Sequence, residues 1–439
     1  MSFSFGFSGD DIEDDGQATE HEALTNKISE CALSDPRESP QNTVEPKKHS
    51  LEELLVSLPS QISYSTLRIP SSSGDGKLRD TNSNDHGAVT SICRRSVFDI
   101  RAQLMAEANP SAEEEEEDTA RTLLSGLESG DLSSGIYEGG FKTWECALDL
   151  ASLVISETDV SGHGQGQEDG DDEGQEAWEV VELGAGSAVP TLALMQKFLD
   201  RRRKRPTTHG GSLKVTLCDY NADVLRLATA PNVLLNYLFV SSGRVPHPLD
   251  DRWTQTDGDL DLEELGGEAL VNRTIQDMTA NDMSFEFISG GWGPAFLDLV
   301  YPPSPPSPQA SLGETDHQHR HSPKPTNLLI LASETVYSPS SIKAFTETVL
   351  GILASHYRRF RAAPVIGRPP PPPRAWVAAK RVYFGVGGGV DEFVREVDRL
   401  GGRSRVVVDV QDAGVGRVVL EVTLSPAFWI VLPIHREQQ

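Results

Sequence analysis

Two stretches of this chain have the glycine spacing that lets a backbone close around a ligand. "WEVVELGAGSAV" at 178–189 runs from β-branched residues through Gly184 and Gly186 into a helical pattern. "KRVYFGVGGGVDEF" at 380–393 sets three consecutive glycines, Gly387 to Gly389, between an apolar run and a helical segment. A phosphate-cradling P-loop needs GxxxxGK[ST], with its lysine reaching the phosphates. The second stretch has no lysine or hydroxyl residue at the required place, which excludes nucleoside triphosphate chemistry there. It also follows the fifth strand-like run, whereas open α/β folds carry their main glycine fingerprint after the first. Its glycines read as a turn that another backbone can approach.

The first stretch stands where a ligand loop belongs. A strand, a turn on Gly184 and Gly186, and a helix N-terminus together offer close backbone approach and a positive dipole end for an anionic group. Val189 occupies the third glycine position of G-x-G-x-x-G, which argues against a nicotinamide cofactor. Asp219, closing the next strand-like run, can accept hydrogen bonds from both hydroxyls of a ribose. A ribose without a pyrophosphate is what S-adenosylmethionine presents. Ahead of the first strand, "IYEGGFKTWECALDLASLV" (136–154) leads into an amphipathic helix beginning near Trp144. Such a helix start can fold over the ligand, with Glu145 facing an ammonium and Trp144 a sulfonium or aromatic group. The pattern alone allows an equal alternative, with Trp144 as a core anchor and Glu145 as a helix-start carboxylate.

These residues need a scaffold, and the chain supplies one from about residue 135. Seven strand-like runs are expected at 177–185, 213–221, 285–292, 327–337, 375–386, 405–410 and 417–424. Helical segments fall mainly between the first five, so the expected fold is α/β, a doubly wound seven-stranded, Rossmann-like sheet. Pro231 is placed to kink the helix after the second strand. Loop composition marks insertions at 157–176, 201–212, 243–270, 301–326 and 362–374, the last with five successive prolines. Residues 1–50 are expected as a disordered acidic tail, 51–134 as a helical and linker region, and 135–434 as the main domain. Ser50 and Glu53 suggest a capping box ahead of Leu51, Leu54 and Leu55, and 94–108 reads as a further helix.

Composition narrows the function classes. The 439 residues carry a formal charge of −27, which repels phosphate backbones and argues against direct nucleic-acid binding. It suits a basic partner instead. The 4 cysteines are scattered without a CxxC pair, giving neither a disulfide framework nor a zinc knuckle. No secretory signal and no membrane-spanning apolar run are expected, and the chain reads as a monomer of the cell interior. "HQHRH" at 317–321 lacks acidic or cysteine partners, so no metal site is assigned.

With those residues in view, a family resemblance is clear. "IYEGGFKTWECALDL", "VVELGAGSAVPTLAL", "CDYNADVLRLATAPNV", "FISGGWG", "LLILASETVYSP" and "KRVYFGVGGGVDEF" together resemble the eukaryotic, fungal-type protein-histidine N-methyltransferases. The likeness runs from about 136 to 400 in the family's order, and "MSFSFGF" followed by an acidic run resembles the start of fungal members. "WECALDL" is shared with the wider group of lysine-directed methyltransferases, while "SETVY" and "YFGVGGGV" tilt toward the histidine branch.

The resemblance implies a class I methyltransferase fold with S-adenosylmethionine as cofactor. It implies cofactor contacts from Thr143, Trp144, Glu145, Cys146, Ala147, Gly184, Gly186, Asp219, Tyr220, Asn221, Gly291, Trp292 and Ser333. Gly291 and Trp292 would flank the adenine. Glu334, Tyr337, Tyr383 and Phe384 would face the substrate, and the GGG loop would form a rim where a substrate loop lies close. No catalytic residue is named, because a neutral imidazole needs positioning more than a base. The implied target is a histidine of a basic large-subunit ribosomal protein, and the implied location is cytoplasm and nucleus. Two rivals stand beside this reading: lysine methylation on the same fold, and a binding module without turnover. The second is suggested by Ala188 at the usual third glycine of methyltransferase turns.

Overall fold

Along the strand that leads to Gly184, alternate side chains enter different cores. Trp178 and Val180 join one apolar cluster, and Val181 and Leu183 join the other. A strand buried on both faces belongs in the middle of a sheet covered by helices on each side. The computed structural model, which describes residues 44–70, 89–107, 123–124, 139–158, 177–204, 211–241, 257–302, 326–361, 372–383, 387–411 and 414–425, places it there.

The elements run β1 (Lys47–His49), α1 (Leu51–Leu55), β2 (Gln61–Pro70), β3 (Val89–Arg95), α2 (Val97–Glu107), α3 (Glu145–Glu157) and β4 (Ala177–Leu183). They continue through α4 (Val189–Lys204), β5 (Leu213–Asp219), α5 (Ala222–Ser241), β6 (Asp257–Asp261), α6 (Glu268–Ala280) and β7 (Met283–Ser289). The rest are α7 (Pro294–Val300), β8 (Thr326–Ser333), α8 (Pro339–Arg361), β9 (Arg374–Lys380), α9 (Val390–Arg399), β10 (Gly402–Val410) and β11 (Arg417–Leu424). The main sheet has eight strands in the order β1-β7-β5-β4-β8-β9-β11-β10. β7, β5, β4, β8 and β9 are parallel, and β11 inserts antiparallel between β9 and β10. From β4 the chain winds outward to β5 and β7, then returns to β8 on β4's other side. The strand order therefore reverses beside β4, where open α/β sheets bind ligands at their carboxyl ends.

All seven expected strands are present in this sheet, and the fold is the expected doubly wound, Rossmann-like α/β type. Four expectations need correction. Residues 47–49, assigned to a disordered tail, form β1 and pair antiparallel with β7, making the sheet eight-stranded. The region 51–134, read as helices and linker, contributes strands β2 and β3 besides α1 and α2. The insertion 243–270, read as loop, holds β6 and the start of α6. β2, β3 and β6 build a second sheet, ordered β3-β2-β6. Such strands were missed because their partners are remote: β2 pairs with β6 about two hundred residues on, as in Ile62 with Leu260. The fourth correction concerns the expectation of no apolar run near membrane-spanning length. α5 is long and apolar enough by that test, but 78% of its apolar window is buried, as befits a core helix.

The second sheet is held to α5 by side-chain amides. β3 is an edge strand, and an unpaired edge presents free N–H and C=O groups. Here Asn236 accepts from Cys93 N at 2.9 Å and donates to Cys93 O at 2.6 Å. Asn232 accepts from Arg95 N at 2.7 Å, and Gln196 of α4 donates to Ser91 O at 2.7 Å. Residues 91, 93 and 95 are alternate positions, so one edge of the strand is satisfied by helix side chains.

α5 also carries a π-helical turn, Leu225–Thr229, just before Pro231. Proline has no N–H, which frees the carbonyl four residues earlier, Leu227 O. The buried Arg95 guanidinium donates to that oxygen at 3.2 Å and pairs with Asp99. The irregularity foreseen at Pro231 is thus a π-turn one step upstream.

Replacing Asn236 with alanine leaves the Cys93 N–H and C=O buried and unpaired. We expect Asn236→Ala to lower stability by about 2–4 kcal/mol, read as a lower urea midpoint at unchanged slope.

Candidate active site

The carboxyl ends of β4, β5, β7, β8 and β9 share one edge because these strands run parallel. At β4 the chain turns through Gly184 (φ +68°), Gly186 (φ +50°) and Ala188 (φ +58°) before entering α4. The two glycines are required by sterics as well as by φ. A Cβ on Gly184 would stand 2.8 Å from Thr335 Cγ2, and one on Gly186 3.0 Å from Gly140 O. The space saved by these glycines is therefore filled first by the chain's own loops. Ala188 retains the left-handed backbone that glycine supplies in related turns, so the departure from glycine leaves the turn's shape intact.

The turn is pinned from four directions. Asp219 Oδ2 accepts from Gly186 N at 3.0 Å, while Oδ1 accepts from Asn221 N at 3.2 Å. Thr229 Oγ1, presented by the π-turn, donates to Gly186 O at 2.6 Å. Asn232 Nδ2 donates to Ser187 O at 3.0 Å, and Thr143 Oγ1 lies 2.8 Å from Ser187 Oγ. Thr229 and Asn232 were not read from the sequence. The available signal was a polar pair on an otherwise apolar helix, "ATAPNVLLNY".

Near the end of β4, Glu182 is fully buried. Its Oε2 accepts from Thr191 N at 3.2 Å, while Oε1 has no hydrogen-bond partner among the described residues. Burial pushes its carboxyl up to about 8; contacts with Thr191 oppose the rise and the Asp219 charge adds to it.

A second cluster gathers Trp144, Glu145, Cys146, Glu334, Lys380 and Tyr383. Trp144 caps the start of α3 and its indole N–H donates to Gly139 O at 3.1 Å. Its ring receives Lys142 Nζ at 5.1 Å and Lys380 Nζ at 5.0 Å, so the cations beside it are the chain's own. Lys380 Nζ lies 3.1 Å from Glu145 Oε2 and 3.5 Å from Glu334 Oε1. Glu334 follows β8 with φ +55°, a conformation non-glycine residues rarely take, and its side chain is 9% exposed. Backbone strain of this kind concentrates where a side chain must be aimed.

The Glu145 carboxyl is held below its ordinary value by its helix-start backbone hydrogen bond, with Lys380 assisting. Burial and the Glu334 carboxylate push up both the Tyr383 hydroxyl and the Cys146 thiol. Lys380 remains charged: Glu334 and Glu145 outweigh the burial that would lower it. Lys380 was not picked out from the sequence, where it is one lysine at a strand end.

The remaining expected residues divide. Ala147 is buried on α3, and Ser333, Tyr220 and Asn221 sit at strand ends on the same edge, Asn221 also capping α5 through Asp223 N. Gly291 N donates to Val44 O at 2.9 Å, and Trp292 packs on Phe345 at 4.9 Å, so both have partners within the chain. Tyr337 and Tyr383 meet edge-on at 6.3 Å. Phe384 lies outside the described residues, as do "HQHRH" and "MSFSFGF". At the GGG loop, the close backbone approach that its glycines allow is made by the chain itself. Gly388 is buried, its N–H donates to Tyr337 O at 3.0 Å, and a Cβ there would fall 2.2 Å from that oxygen. Its closest neighbour is the chain's own backbone after β8. Among the described residues no cluster of His, Cys, Asp and Glu could hold a metal ion.

Two outcomes follow from this geometry. Thr229→Val keeps the side chain's shape but loses the bond to Gly186 O. It should weaken S-adenosylmethionine binding about tenfold, about 1.4 kcal/mol by calorimetry. Glu182 is raised in the folded state, so its contribution to stability is complete below about pH 4.5 and is lost as pH rises toward 8. Glu182→Gln should remove a decline of about 1 kcal/mol per pH unit in that window, seen by comparing urea unfolding of both proteins at pH 5 and pH 8.

No protein-family model matches the chain. It is 28% identical over 413 residues to histidine protein methyltransferase 1 of Saccharomyces cerevisiae, covering 91% of each protein. It is 30% identical over 314 residues to the protein of that name in Schizosaccharomyces pombe, covering 72% of this chain and 71% of the other. A shorter match, 30% over 132 residues, covers 28% of this chain and 36% of a protein-lysine N-methyltransferase of S. cerevisiae. A pinned glycine turn, an acidic residue ending the second parallel strand, and relatives matched along most of their length place the chain in the histidine protein methyltransferase 1 family.

Proposed function

We propose that this protein methylates a histidine imidazole of a large-subunit ribosomal protein, acting as a monomer in cytoplasm and nucleus. Family membership carries the broader statement: it is an S-adenosylmethionine-dependent protein-histidine methyltransferase. What supports the finer one is the family resemblance together with the charge of −27, which attracts a basic acceptor.

The donor set at the strand ends fits the cofactor. Asp219, its carboxylate oriented by the N–H groups of Gly186 and Asn221, suits the ribose diol. Glu145 suits an ammonium, and the N-terminus of α4 a carboxylate. The other expected contact residues complete the proposed set. When bound, S-adenosylmethionine supplies an electrophilic methyl group on a sulfonium.

The chain's own task is then positioning. Neutral imidazole, with a pKa near 6.5, already has a lone pair at pH 7. Bond formation leaves the ring cationic, and a carboxylate hydrogen-bonded to its other N–H both fixes the tautomer and stabilises that charge. Glu334 is our candidate for this role, with Tyr383 beside it. The observation that carries this assignment is that Glu334 is half-buried with its side chain 9% exposed and held in left-handed backbone, while its Oε1, 3.5 Å from the Lys380 ammonium, accepts no hydrogen bond among the described residues.

The test combines binding and turnover. Asp219→Ala should lose calorimetric binding of S-adenosylmethionine. Glu334→Gln should bind it within about threefold of the unaltered protein yet lose about 100-fold in kcat on large-subunit proteins from cells lacking the enzyme. Equal turnover by Glu334→Gln would remove the role given to that carboxylate. Methyl label recovered only on lysine would overturn the histidine assignment.

A further inference from the structure

Resting on that reading of the site, we propose that Lys380 determines acceptor choice: its fixed ammonium occupies the cation position between Glu145, Glu334 and Trp144, so the site admits neutral imidazole and rejects the ammonium of lysine. Two carboxylates beside an aromatic ring make a receptor that a lysine side chain would fill. Here the chain fills it from within. Lys380 Nζ is 3.1 Å from one carboxylate, 3.5 Å from the other and 5.0 Å from the ring centre.

The arrangement is more than an ordinary surface ion pair. Lys380 is the last residue of β9, and its side chain is 21% exposed while that of Glu334 is 9% exposed. Its backbone N–H donates to the Tyr383 hydroxyl at 3.2 Å, fixing the tyrosine beside the same carboxylate. The neighbouring cations are engaged elsewhere, Arg381 with Asp409 and Arg417 with Asp149. With Lys380 in place, the two carboxylates retain one net negative charge. S-adenosylmethionine carries one net positive charge, which that balance accommodates. A lysine ammonium would then have to enter beside the ammonium of Lys380, and Lys142, whose Nζ lies 5.1 Å from the same Trp144 ring, adds to that repulsion. Imidazole, uncharged above its pKa, escapes this penalty. Selectivity by a repulsive element of this kind is effective because it acts on the competitor alone.

The experiment supplies radiolabelled S-adenosylmethionine and large-subunit proteins from cells lacking the enzyme to the unaltered protein, Lys380→Met, Lys380→Gln and Lys380→Arg. Hydrolysates are then resolved into methylhistidine and methyllysine. Methylhistidine from the unaltered protein tests the functional reading separately; its absence on every acceptor would overturn that reading and this proposal with it. Given methylhistidine, Lys380→Met and Lys380→Gln should raise the methyllysine to methylhistidine ratio at least tenfold. Lys380→Arg, which keeps the charge, should hold the original ratio. An unchanged ratio in both uncharged variants, or an equal rise in Lys380→Arg, would overturn the proposal. Calorimetry gives a readout apart from turnover: the uncharged variants should bind S-adenosylmethionine at least as tightly as the unaltered protein, because Glu145 is released. A loss beyond tenfold would make Lys380 a brace for the fold and overturn its selective role.

Discussion

The turn between β4 and α4 is the constraint from which the rest of the molecule can be understood. Three residues in five, Gly184, Gly186 and Ala188, take left-handed backbone there, a conformation that must be imposed by surroundings when one of them is alanine. Those surroundings are specific hydrogen bonds: Asp219 on one N–H, Thr229 on one C=O, Asn232 on the next. Each comes from a different point along β5 and α5. The geometry at the strand ends therefore depends on α5 being placed and shaped correctly.

That dependence gives the second sheet its purpose. β3 lies against α5 through Asn232 and Asn236, and Arg95 takes the carbonyl that Pro231 leaves free. The π-turn this stabilises is what aims Thr229 at Gly186. Asn232 is shared, accepting from β3 and donating to the turn, so a strand far from β4 in sequence is one residue away from its carbonyls. At the opposite edge Val44 and Pro46 cross the end of β7, where Gly290 (φ +110°) has no room for a Cβ. The residues before β4 in the chain thus act as bracing for its carboxyl end.

Electrostatics divide the edge into two districts. Asp219 holds the glycine turn, and the buried Glu182, its carboxyl pushed up by burial, meets the first turn of α4 at Thr191. Glu334, Glu145 and Lys380 form a compensated group: Lys380 helps hold the Glu145 carboxyl below its ordinary value, and the two carboxylates raise the Lys380 ammonium against its partial burial. The two are joined sterically at Gly184, over which Thr335 packs directly after Glu334. The Tyr337 carbonyl in turn seats Gly388, so the loop after β8 is held between both glycine stretches.

The sequence alone determined the parallel strands, the glycine turn, the acidic end of β5 and the helix start at Trp144, because each rests on local pattern. β-branched runs ending in glycine mark buried strands, and a helix beginning at Trp144 follows from short-range periodicity. The tertiary structure decided what depends on remote pairing: β1 on β7, β2 with β6, and the amides of α5 on the edge of β3. It also decided which charges meet. Lys380, Glu145 and Glu334 are separated by many residues, and nothing in their local patterns links them. Only the winding of the sheet brings the start of α3 and the ends of β8 and β9 to one place. Glycine spacing likewise indicates a tight approach without naming what approaches, and at Gly184, Gly186 and Gly388 it is the chain itself. Close contacts of this sort belong to three-dimensional packing, which no one-dimensional period encodes.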